Sequence, residues 1–121
     1  MIDLIRSMFS TPEAQADAYT WAAVLLAHAM IGAMLTAILA ALNGDRGWRA
    51  AAIVSTLYGL IWEGGQLLLS GSEIWDSVLD WVAVSCGAAL CAAIWLHRRG
   101  VAAAVAGALL LILSIGAGKR R

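Results

Sequence analysis

Glu63, Gln66, Asp76 and Asp80 are the residues of this chain whose types and spacing can do chemistry. Glu63 and Gln66 are three apart and Asp76 and Asp80 four apart, so on helices each pair shares a face. The short turn between the pairs forces the two helices antiparallel. All four residues are then expected in one cleft, at one end of the helix pair. Three carboxylates a few ångströms apart cannot all stay charged in a dry site, because like charges raise one another's proton affinity. Such a cleft holds a cation, shares a proton or admits water. With an amide beside the carboxylates it suits a cationic or polyhydroxyl ligand, and one of the acids can serve as a base.

The elements that must position these groups are membrane spans. The 121 residues are 62% hydrophobic and 13% charged, with a mean hydropathy of +0.82. A soluble domain is nearer 45–50% apolar and about 25% charged, and a soluble chain this short cannot hide so much apolar surface. The expected fold is all-α, a single four-transmembrane-helix bundle over residues 11–121. Spans fall at about 19–42, 50–69, 76–96 and 101–118, close to the ~20 residues that cross a bilayer core. Residues 1–10 carry Ile2, Ile5 and Phe9 on one helical face and read either as an interfacial amphipathic helix or as a frayed end. Ser10-Thr11-Pro12-Glu13 has the pattern of a helix start, and Asn43-Gly44 that of a helix end. A charge at bilayer depth costs about 2.5–3.5 kcal/mol on insertion scales, which is why Glu63 and Asp80 stand out. The plainer alternative has Glu73 and Asp76 as partners of a helix dipole and Glu63 and Asp80 reaching the headgroups.

His28 is the other ionisable residue deep in a span. A neutral histidine bonded to a backbone carbonyl or to Thr36 is one reading; a proton partner for the acidic cleft is another. Too few ligands surround it in sequence for a metal or haem, so neither cofactor nor metal is expected. Cys86 and Cys91, five apart in one helix, project about 140° apart and cannot bridge. No nucleophile with a matched base is visible, so no catalytic residue is assigned and an enzyme is not the favoured reading.

Ala29, Ala33, Ala37 and Ala41 repeat every four residues, as do Ala83 and Gly87, the spacing that lets helices approach closely in lipid. Tyr19 and the six tryptophans fit interfacial belts. Arg46, Arg49, Arg98 and Arg99 lie on one side, and Arg6, Lys119, Arg120 and Arg121 on the other. Basic residues flanking helices on both sides of loops one and three favour those loops as cytoplasmic. Formal net charge is zero and no basic strip exists, so nucleic acid is not an expected partner. The bilayer is, together with a second copy or another membrane protein.

Around Glu63 the chain resembles the VanZ-like family of small integral membrane proteins. Glu63 and Gln66 match that family's Glu-x-x-Gln, Asp76 stands where its acidic residue falls, and Gly87 matches its second glycine. Asp80 replaces an Asn, Ala83 replaces the first glycine, and Ser72 stands about where the family has an arginine. The resemblance spans residues 58–91 and implies work in the cell envelope, at a bacterial inner membrane, on a lipid-linked or headgroup ligand. The alternatives are a phage-type holin, which self-assembles and stops growth on expression, and an accessory subunit of a larger membrane complex.

Overall fold

The computed structural model describes residues 1–3, 17–44, 47–69 and 74–121. The interfacial helix expected over residues 1–10 and the helix start expected at 10–13 fall largely outside them. The first helix, α1, is Ala18–Asn43. Asp17 caps it: its backbone is extended (φ −91°, ψ 125°), and its carboxylate accepts from Thr20 N at 2.8 Å and from Thr20 Oγ1 at 2.7 Å. This break excludes a helix running unbroken from Pro12. An acid three residues ahead of a threonine satisfies one of the orphan N–H groups of the first turn and gains a second bond from the hydroxyl. Gly44 (φ 61°) ends α1 in the left-handed region, as expected.

Residues 47–69 run as α2 (Gly47–Leu57), a π-helical turn (Tyr58–Glu63) and α3 (Gly64–Leu69), with no residue between them. Then follow α4 (Ile74–Trp95) and α5 (Arg99–Lys119). His97 (φ 56°) makes the tight turn between these two, with Arg98 N donating to Ala93 O at 2.7 Å. Among the described residues three helices, not four, are long and apolar enough to cross a membrane: Ala18–Asn43, Ser77–Trp95 and Arg99–Lys119. The expected span at 50–69 is the one divided by the widened turn. The last helix has 21 residues, longer than expected, because its charged ends extend the helix beyond the apolar run.

The helix α4 touches every other element. Against α1 it packs at backbone distance. A Cβ on Gly32 would lie 2.0 Å from Val84 O, and one on Gly87 would lie 1.8 Å from Ala29 O. The seam of α1 is Trp21, Leu25, His28, Ala29, Gly32, Thr36 and Ala40. Of the alanine repeat only Ala29 belongs to it. Ala33 and Ala37 are half-buried and Ala41 is exposed. Glycine decides the register: the tightest approach selects Gly32, and the alanines are turned aside.

Trp21 is 6% exposed, not an interfacial anchor. Its ring lies on Gly116, where a Cβ would come within 1.9 Å. The Arg120 guanidinium covers it 4.2 Å from the ring centroid while donating to Gly116 O at 3.0 Å. Tyr19 and Trp75, 83% and 74% exposed, keep the belt role. Trp21, Leu25, Ala29, Ala83 and Leu109 form one core cluster; Ala51, Val54, Val84, Ala88 and Ala92 form another.

Candidate functional site

The antiparallel register of α2 and α4 is set by side chains. Ser55 Oγ and Ser85 Oγ are 2.6 Å apart, and Trp81 Nε1 donates to Ser55 O at 3.0 Å. One turn on, Gly59 leaves room for the Trp81 indole; a Cβ there would be 2.9 Å from Nε1. A turn closed by i to i+5 bonds holds an extra residue, and Gly64 N bonds Gly59 O in this way. Glu63 closes the π turn, Gln66 lies in α3, and Asp76 lies in the first turn of α4. The side chains of these three lie outside the described atoms.

Asp80 is described, and it meets His28. The two side chains are 19% and 10% exposed, with Asp80 Oδ1 3.7 Å from His28 Nδ1. The same nitrogen is 2.8 Å from Val24 O. A carbonyl only accepts, so Nδ1 carries the proton and donates to Val24. The carboxylate stands within ionic reach but beyond hydrogen-bond length. The backbone bond of the first reading is present, and the ring also approaches Asp80. Thr36 is not its partner; that hydroxyl is fully buried and has no hydrogen-bond partner among the described residues.

The sequence reading missed the aromatic wall. The Tyr58 ring stands edge-on to His28 at 6.2 Å and stacks on Trp62 at 6.1 Å and 22°. Tyr58 and Trp62 are four apart beside Glu63, and that spacing was the available signal. Three helical segments thus converge at one polar point inside the bundle: α1 through His28, α4 through Asp80 and the π turn through Tyr58. Neither cysteine is bridged, and no group of three metal-binding side chains exists among the described residues.

Among protein-family models, curated proteins and solved structures, none matches this chain. What its own residues establish is an all-helical chain whose apolar helices have the length and composition of a multi-pass membrane protein.

Proposed function

We propose that this chain is a four-span, VanZ-like protein of the bacterial inner membrane, in which residues 47–69 complete the fourth crossing. In this reading Glu63, Gln66, Asp76 and Asp80 line a cleft between the second and third spans. The cleft receives the cationic or polyhydroxyl headgroup of a lipid-linked envelope intermediate. The observation that carries the reading is the His28–Asp80 approach at 3.7 Å. An acid held in a span against a histidine of another helix is an arrangement that membrane proteins retain for ions, protons and charged ligands. A widened turn beside it adds support, since π turns inside α-helices recur at functional sites. The residue types from Glu63 to Gly87 supply the envelope assignment through the resemblance.

In this arrangement His28 stands beside Asp80 when the cleft is empty, and a cationic ligand meets the same carboxylate when it is filled. The decisive experiment compares Glu63→Gln and Asp80→Asn with wild type for resistance of the host envelope to lytic and glycopeptide stress. Helix content of each variant is checked by circular dichroism. Both variants are expected to fold and to lose the phenotype. If both fold and both retain it, the acids do not form a working site.

A further inference from the structure

The end of the bundle opposite the acids is built differently. Residues 43–49 and 96–99 hold Arg46, Arg49, Arg98 and Arg99 against a single acid, Asp45, so the rest of this neutral chain is net negative. The fold brings the start of α2 and the end of α4 to one rim: a Cβ on Gly47 would lie 3.4 Å from Ala92 Cα and 3.5 Å from the Leu96 side chain. Two crevices open there. One of about 150 Å³ is lined by Asn43, Arg49, Ala50 and Ile53. The other, about 180 Å³, is lined by Ala93, Ile94, His97, Arg99 and Ala102. Each has an arginine among its lining residues beside an apolar wall, made by α2 in the first and by α4 and α5 in the second. Arg49, Arg98 and Arg99 are exposed, and their side chains make no salt bridge or hydrogen bond among the described residues. An exposed cation with no side-chain partner among the described residues, set above an apolar wall, matches a phosphodiester headgroup with an acyl chain beneath it.

We propose that this rim binds anionic phospholipid, with Arg49 and Arg99 each holding a headgroup phosphate and Ile53, Ile94 and Ala102 receiving the chains. Guanidinium is the suited donor because its planar fork meets two phosphate oxygens at once. A basic surface at bilayer level favours anionic lipid by an amount that makes each arginine worth roughly fivefold in binding.

The test uses the full chain in a neutral detergent, offered equal amounts of phosphatidylglycerol and phosphatidylcholine with identical acyl chains. Bound lipids are counted by native mass spectrometry. Wild type is expected to retain phosphatidylglycerol over phosphatidylcholine by at least about fivefold. Arg49→Gln with Arg99→Gln is expected to bring the two lipids to near parity. Lys119→Gln with Arg121→Gln, at the other end, is expected to leave the preference intact. Equal retention by wild type overturns the proposal, as does a preference lost only in the control pair. Competition by glycerol phosphate as strong as by the whole lipid overturns it too, since the site would then be one for free anions. These readouts do not involve Glu63 or Asp80, so the acidic cleft stands or falls separately.

Discussion

At the scale of single residues, glycine has two distinct jobs in this chain. Gly32 and Gly87 sit where a methyl group would strike a carbonyl oxygen of the facing helix, whereas Gly107 has nothing within 4 Å of the same position. Gly87→Ala is expected to cost about 1–3 kcal/mol through forced separation of α1 and α4. Gly107→Ala is expected to be neutral or to stabilise by up to ~1 kcal/mol, from helix propensity alone. Reversible unfolding in mixed micelles measures both, and equal effects would contradict the packing described. Asp17 gives a pH-dependent counterpart. Thr20's hydroxyl, and then its backbone N–H, hold the Asp17 carboxyl below its ordinary value of 3.8. A lowered value in the folded state means the cap is in force above the ordinary range and is lost as pH falls through the lowered one. Protection of the Thr20 amide from exchange is therefore expected to persist through the ordinary carboxylate range and to fall only below it, and Asp17→Ala to lack that protection throughout.

At the scale of elements, the widened turn explains why the sequence was only partly legible. Apolar composition placed α1, α4 and α5 within two or three residues of their observed bounds, because a long hydrophobic run has few alternatives in lipid. It also found Asp80 and His28 by their cost of burial. It could not find the π turn, beside which the Trp81 indole reaches Ser55 O and Gly59 leaves room for it. Those partners lie more than twenty residues apart in sequence. Nor could periodicity pick the true seam of α1, since alanine and glycine look alike to a hydrophobicity pattern and differ by the one atom that matters at backbone contact. Trp81→Phe removes the indole donor while keeping the ring, and should destabilise the α2–α4 pair by about 0.6 kcal/mol, the usual size of such a bond in a membrane protein. Ser85→Ala should behave similarly, and unfolding measurements on the two variants and their double would report whether they act on one interface.

At the scale of the whole molecule, the question is how many times the chain crosses. If residues 47–69 complete a crossing, residues 45–46 and 70–73 lie on opposite sides of the membrane. Single cysteines at Arg46 and Ser72, in a background with Cys86 and Cys91 replaced by alanine, test this with a membrane-impermeant maleimide in oriented vesicles. Labelling of one from outside and the other only after permeabilisation is expected. Labelling of both from the same side would mean that 47–69 enters and leaves by one face. In that event the cleft could not join two full spans, although the α1–α4 seam would stand unchanged.

The π turn also bears on how this protein tolerates insertion and deletion. A helix that stores one surplus residue can give it up: removing Leu60, which is 71% exposed, lets the segment close as an ordinary α-helix. The stretches before and after would keep their present facing. Length variation at this point would then be nearly silent for the shape of the bundle, while the same single-residue loss in α1 would swing every later side chain of that helix by about 100° and undo the glycine seam.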